Sequence, residues 1–287
     1  LLITISFIIF YSIESENLKH KNLSVSEIKQ FTSLPGVEEN HIALVKNHGL
    51  LFTSQHDSRY KNRITLKLAN DVQPYYLTEN SYYFDDLALS HDDNYLAYTQ
   101  YTGTKCHIVI ARLSIELKQL IQPQKLTECE MYGDKFINWS TDNKSLYFTQ
   151  YDSDISTGKI MQLDIADNSI KPLFPNKDSN LDDYTLISEP DGKRFAYLRT
   201  KDNEQQIKLF SATPSQEKTI FRAENLGIYQ LLWLTKYNGL LVRHKQGISI
   251  LSLDDFKLKS INLPDKVTSS PRLSINSEGE IIFQKTE

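Results

Sequence analysis

Along most of the chain a short apolar run ends in a polar turn and returns as a second strand of alternating apolar and polar residues. The phrase occurs six times: IALVKNHGLLFTS from Ile42, LALSHDDNYLAYTQY from Leu87, INWSTDNKSLYFTQY from Ile137, LISEPDGKRFAYLRT from Leu186, LLWLTKYNGLLVRHK from Leu231 and RLSINSEGEIIFQKT from Arg272. Its turns carry Asp-Asn, Asp-Gly, Asn-Gly or Glu-Gly, residues that tolerate the positive φ of a tight hairpin. The equivalent apolar position after the turn is Leu50, Leu96, Leu146, Phe195, Leu240 and Ile281, at intervals of 41 to 50 residues. That is the period of a propeller blade. A third strand follows in five units (RITLKL, CHIVIARL, KIMQLDI, QIKLFSA, GISILSL), and a fourth closes each (QPYYLTEN, QKLTECE, IKPLFPN, EKTIFRAEN, LKSINLP). Short antiparallel strands in fours, with few helical signals, predict an all-β fold: a six-bladed β-propeller of four-stranded antiparallel blades over residues 27–287.

The two ends of the chain complete this pattern together. The sixth unit, Pro271–Glu287, supplies a first and a second strand, and EIKQFTSLPG from Glu27 reads as an outer fourth strand with no first or second strand before it. Pairing the N- and C-terminal strands closes the ring and removes exposed sheet edges. The third strand of this shared blade is expected from Asn17–Leu23 or from sequence beyond Glu287, the second being preferred. The opening run Leu1–Ile13 (LLITISFIIFYSI) holds ten apolar residues and no charge. It is read as the end of a transmembrane helix, with a signal-sequence remnant as the alternative, and residues 14–26 as a linker.

Composition removes several classes of function. With Lys+Arg 32 against Asp+Glu 36 and a net charge of −4, no basic face is available for nucleic acid, so this segment is expected to make no such contact. No two of the ten glycines stand closer than the eight positions from Gly239 to Gly247, which excludes G-x-G-x-x-G, the P-loop and the G-x-S-x-G elbow. The seven histidines are spread along the chain without an H-x-x-H pair. The acid pairs Asp85-Asp86, Asp182-Asp183 and Asp254-Asp255 lack a D-x-D-x-D-G loop and read as solvated loop entries. No catalytic residue, metal site or cofactor is expected, and the chain is read as a non-enzyme.

Two sets of residues remain. Cys106 begins a third strand and Cys129 ends the fourth strand beside it, so the two are either buried thiols or a disulfide across antiparallel neighbours, the bridge being preferred. A bridge implies an oxidising compartment. The connections that emerge at one end of the blades are expected to hold Tyr82, Tyr83, Phe84, Tyr132, Tyr184 and Tyr229, with His56, Arg59, Tyr60, Tyr101 and Tyr151 in or near the second set. These rings either cover the blade ends or form a binding face, for which tyrosine is well suited.

The phrases SEPDGKRFAYLRT and NWSTDNKSLYFTQY resemble the Ser-Pro-Asp-Gly-Lys repeats of TolB-type, WD-like propellers. FTSLPGVEENHIALV followed by LALSHDDNYLAYTQY is similar to the propeller region of ToxR/CadC-type membrane-anchored winged-helix transcriptional regulators, as is the Cys106…Cys129…Trp139-Ser140 arrangement. The Asp-Gly turn is intact only at Asp191-Gly192, and no winged helix is present in these residues. This resemblance implies a periplasmic sensory or protein-interaction propeller, held at the inner membrane by a single N-terminal span and working in signal transduction, with DNA reached only through an upstream domain. Its partner would be a protein or a small-molecule signal. The alternatives are a TolB-like envelope scaffold and the non-catalytic propeller of a prolyl-oligopeptidase-like peptidase.

Overall fold

The computed structural model describes residues 7–13, 25–32, 37–45, 49–55, 61–79, 81–151, 157–174, 181–211, 216–234, 237–261, 273–275 and 281–285, with the backbone alone in 7–13, 25–32, 37–45 and 283–285. Two strands open the chain, β1 (Phe7–Ile13) and β2 (Val25–Thr32). Five four-stranded antiparallel blades then follow one another. The first comprises β3 (Val37–Val45), β4 (Gly49–Gln55), β5 (Arg63–Leu68) and β6 (Tyr75–Tyr76). The second comprises β7 (Tyr83–Leu89), β8 (Tyr95–Thr102), β9 (Lys105–Ser114) and β10 (Gln119–Cys129). In the third are β11 (Asn138–Trp139), β12 (Ser145–Tyr151), β13 (Gly158–Asp164) and β14 (Ile170–Pro172). The fourth holds β15 (Asp182–Ser188), β16 (Arg194–Lys201), β17 (Glu204–Ser211) and β18 (Gln216–Glu224). The fifth has β19 (Ile228–Leu234), β20 (Gly239–His244), β21 (Gly247–Ser252) and β22 (Leu258–Ser260). The chain closes with β23 (Leu273–Ile275) and β24 (Ile281–Lys285).

The last repeat does not build a blade of its own. It joins the start of the chain in a composite four-stranded sheet of order β2-β1-β24-β23. The outer strand is β2, as the sequence from Glu27 suggested, and it begins at Val25 inside the expected linker. The third strand comes from neither expected source. It is β1, which pairs antiparallel with β24 (Phe7 opposite Lys285, Tyr11 opposite Ile281) and with β2 (Phe10 opposite Lys29). The reading of this apolar run as a membrane helix is therefore corrected over Phe7–Ile13, and among the described residues no helix is long and apolar enough to cross a membrane. A strand covered on both faces of its sheet carries an uninterrupted apolar stretch as a span does, and Ile, Phe and Tyr favour the pleat.

The inner strands touch in a closed cycle, β3 to β7, β11, β15, β19, β23 and back to β3. The core lies in the gaps between successive blades, not in one central mass. Leu51, Ile64 and Leu66 of the first blade pack on Phe84, Leu96 and Tyr98 of the second; Ala97 and Ile108 of the second pack on Trp139, Leu146 and Phe148 of the third. Side-chain amides reinforce two of these gaps. Asn62 brackets Phe84, donating to its carbonyl at 2.9 Å and accepting from its N–H at 2.7 Å, and Gln205 does the same for Ile228 at 3.1 and 2.6 Å.

The repeated Ser-x-Asp phrase has a local cause. Ser90 Oγ donates to Asp92 at 2.6 Å and accepts from the N–H of Tyr95 at 2.9 Å, closing the turn between β7 and β8. Ser140, Asp142 and Ser145 repeat this at 2.7 and 2.9 Å. The residue with positive φ is Asp93 in one turn, Asn143 in the next and Gly192 in the third, so the Asp-Gly signature survives as a conformation where its glycine is replaced.

Cys106 and Cys129 face each other across β9 and β10 with Cα atoms 4.9 Å apart and are joined in a disulfide. The bridge closes a loop of sequence separation 23, worth roughly 3 kcal/mol in the chain-entropy treatment. The doubly substituted Cys106→Ala/Cys129→Ala protein should lose about that much in urea unfolding at unchanged m-value; no change in midpoint would mean the bridge adds nothing to the folded state.

Candidate binding cleft at the junction of the first two blades

A cleft of about 730 Å³ opens where the ends of β7 and β8 meet the connection after β10. Its walls hold Tyr82, Tyr83, Tyr101 and Met131, with Lys61, Asp85 and Asp134 as charged members. Tyr83 and Tyr101 are cross-strand partners, their rings edge-to-face at 5.7 Å, a favourable geometry for two quadrupoles. Tyr82 is 43 % exposed and Met131 38 %.

Backbone geometry explains the assembly. Tyr83, Phe84, Tyr184 and Tyr229 do not lie in connections, where the sequence placed them, but within β7, β15 and β19. Each of these inner strands carries a bulge, between Asp85 and Ala88, Tyr184 and Ile187, and Ile228 and Gln230. A bulge inserts a residue and re-aims the side chains beyond it, so the strand continues through residues that read as a loop.

The other expected members divide between structure and surface. Phe84 is buried, edge-to-face with Tyr98 at 5.8 Å. The Tyr184 hydroxyl accepts from Gln205 at 2.7 Å and lies 3.3 Å from Thr200 Oγ1, so its ring belongs to the blade interface. Tyr151 lies beneath Gly133, where a Cβ would come within 2.5 Å of its ring. Tyr132 is 83 % exposed beside the cleft, and Tyr229 stands apart with the Arg243 guanidinium 5.3 Å from its ring centre. His56, Arg59 and Tyr60 lie outside the described residues.

Two acid pairs read as solvated are corrected. Asp86 is 2 % exposed and accepts from the backbone N–H groups of Lys135 at 3.0 Å and Phe136 at 3.3 Å, fixing the connection into the third blade. Asp183 is buried against Arg199. The Lys135 side chain, which the sequence did not single out, is fully buried. Its ammonium donates to the Tyr132 carbonyl, stands 3.6 Å from Glu130 and lies 5.5 Å from the Tyr151 ring centre. Burial lowers its pKa, against the opposing pull of Glu130 and Asp86. Burial, then Asp86 and Asp85, pushes the Tyr101 hydroxyl well above its ordinary range; burial, then Asp182 and Asp134, does the same to Tyr151.

A second cavity of about 300 Å³ lies among the inner strands, lined in part by Asp86, Asn138, Thr185 and Gln230. Most of its polar groups are engaged in tying strand to strand: Asn138 donates to the Leu186 carbonyl at 3.1 Å and Gln230 to that of Leu273 at 2.9 Å. Ser249 Oγ lies 2.8 Å from His244 Nε2, but both side chains are buried inside the fifth blade. Among the described residues no three His, Cys, Asp or Glu side chains are grouped so as to hold a metal ion.

No protein-family model matches the sequence, and no curated protein does. The fold is widely shared among solved structures. A protein assigned as TolB from Agrobacterium tumefaciens aligns at 13% identity over 99% of this chain and 99% of its own, with a TM-score of 0.68. The structure of a nidogen/laminin complex aligns at 14% identity over 98% of both chains, with a TM-score of 0.63. An oligogalacturonate lyase in complex with manganese aligns at 7% identity over 92% of this chain and 82% of its own, also with a TM-score of 0.63. The chain has a TolB-like β-propeller fold, which these likenesses establish without assigning an activity.

Proposed function

We propose that this propeller is a non-catalytic interaction module of an oxidising, extracytoplasmic compartment, the periplasm, and that it holds a protein partner at the tyrosine-lined end of its first two blades. The observation that carries the reading is the cleft itself: three tyrosines and a methionine, of which Tyr83 and Tyr101 are paired across β7 and β8, bordered by the exposed Tyr132. Rings held in this way offer contact area at low entropic cost. The disulfide supports the compartment, since such bridges are scarce in reducing cytosol. A TolB-like envelope scaffold is the form of this function that needs the fewest further parts. The sensory domain of a CadC/ToxR-type regulator is the second form; its anchor would have to lie outside Phe7–Ile13, which is engaged in the composite sheet.

A photo-crosslinking residue in place of Tyr82 or Tyr132 should yield one discrete protein adduct in cells, and none in place of Tyr95, which is 40 % exposed at the opposite end of β8. Equal adducts at all three positions would overturn the reading. Tyr82→Ser and Tyr132→Ser should leave stability within about 0.5 kcal/mol of the parent, whereas Tyr184→Ala should cost more because two hydrogen bonds and a blade contact go with it.

A further inference from the structure

The connection from β10 to β11 is built around a lysine shut off from solvent. Met131, Tyr132, Gly133 and Asp134 are all exposed, yet the side chain of the next residue, Lys135, is fully buried. Its ammonium donates to the Tyr132 carbonyl and stands 3.6 Å from Glu130. Its own N–H donates to Asp86 at 3.0 Å, and its carbonyl accepts from the Thr149 N–H at 2.6 Å. Gly133 lies against the Tyr151 ring, and the disulfide at Cys129 fixes the entry to the connection. Burying an ammonium costs more than burying an apolar side chain of similar volume, and a methionine at 135 would fill much of the same space. What the lysine adds is the bond to the Tyr132 carbonyl, which sets the backbone at the most exposed tyrosine among the described residues.

We propose that Lys135 is a positioning residue that holds Met131–Asp134 as a preformed tip, and that Tyr132 at this tip enters a ring-sized apolar pocket on the protein partner. A tyrosine presented in this way is an anchor: its ring supplies contact area, and a backbone ordered before binding lowers the entropy lost on contact. Tyr82 and Met131, in the wall of the adjoining cleft, would then border the seated ring. This inference rests on the interaction reading above and adds which side chain leads and what holds it.

Two measurements on the whole chain separate the parts. The first needs no partner: backbone order parameters of the 131–134 amides should stand near about 0.85 in the parent and fall below about 0.6 in Lys135→Met. Glu130→Gln/Lys135→Met, which also removes the carboxylate left without its ammonium, should unfold at the parent's urea midpoint or above it and keep the loosened tip, as a residue needed only for stability would not. A tip that is loose in the parent, or equally ordered in both variants, overturns the positioning role, and so does a midpoint of the double variant that falls in step with the order parameters. The second is made in cells. The adduct from a photo-crosslinking residue at position 82 should drop at least tenfold with Tyr132→Ala and at least fivefold with Lys135→Met, and should stay within threefold of the parent with Tyr132→Phe. An adduct at 82 that survives Tyr132→Ala unchanged overturns the insertion of Tyr132 and leaves the interaction reading intact. Absence of any adduct at 82 and at 132 in the otherwise unaltered chain overturns that reading and the pocket with it, while the order parameters still decide the role of Lys135.

Discussion

Replacing Arg199 with Met should destabilise this protein by about 3–5 kcal/mol, the cost of leaving a buried carboxylate without its partner. Arg199 and Asp183 are each 6 % exposed and joined in a two-pronged pair, Nε to Oδ1 at 2.6 Å and Nη2 to Oδ2 at 2.8 Å. The guanidinium also donates to Glu217 at 3.2 Å and to the Tyr197 hydroxyl at 2.9 Å, and that hydroxyl donates to Glu217 in turn. Burial opposes the charge on Arg199, but the bonds to Asp183 outweigh it and hold the pKa above its usual value. Met fills much of the space yet supplies no donor, so Asp183 keeps its desolvation cost and loses its compensation. The double variant Asp183→Asn/Arg199→Met should recover most of the loss, because it removes the stranded charge as well as the pair. Arg199→Lys should fall between, since an ammonium cannot reproduce the planar fork. Urea unfolding at neutral pH decides it: a single Met variant within 1 kcal/mol of the parent would show that the pair is neutral to stability.

How much of this could be read from the sequence depends on how far apart the cooperating residues lie. The hairpin phrases were legible because their turns, from Ser90 to Tyr95 and from Ser140 to Ser145, are closed by their own side chains within six residues. The disulfide was legible because the ends of β9 and β10 meet as cross-strand partners. The opening apolar run was misread because a continuous apolar run is compatible both with a membrane span and with a buried strand. What distinguishes them is β24, at the far end of the chain. The acid pairs were misread for another reason. Written as a string, Asp182-Asp183 looks like a polar entry to a strand; set in register, Asp183 stands opposite Arg199. That cross-strand match was the available signal, obscured by the bulge between Tyr184 and Ile187 that displaces the pairing from the regular count. The cleft's tyrosines, Tyr82, Tyr83 and Tyr101, were among the residues named from the sequence; what the string did not show is that Tyr83 lies within β7 rather than in a connection.

The second large effect is expected at Gly49, the first residue of β4. Its φ of +139° is in the range that side-chain-bearing residues avoid, and a Cβ built there would stand 1.9 Å from the carbonyl oxygen of Lys67 and 2.7 Å from the Cα of Leu68. Both atoms are backbone of β5, the neighbouring strand, with which Gly49 is in register. They cannot yield as a flexible side chain would. Gly49→Ala should therefore cost more than 4 kcal/mol, in the range reserved for broken cores and strained backbone. The fifth blade contains the control. Gly247 has a φ of +133° with nothing within 4 Å of its built Cβ. Gly247→Ala thus carries the backbone term without the collision and should cost about 1–3 kcal/mol. The difference between the two variants in urea unfolding isolates how closely β4 and β5 must approach at the start of the first blade. If both lose the same amount, the collision is relieved by a small shift of β5 and the backbone term governs both. If Gly49→Ala alone fails to fold, the approach of these strands is a condition for the blade, and with it for the core that Leu51, Ile64 and Leu66 build against the second blade.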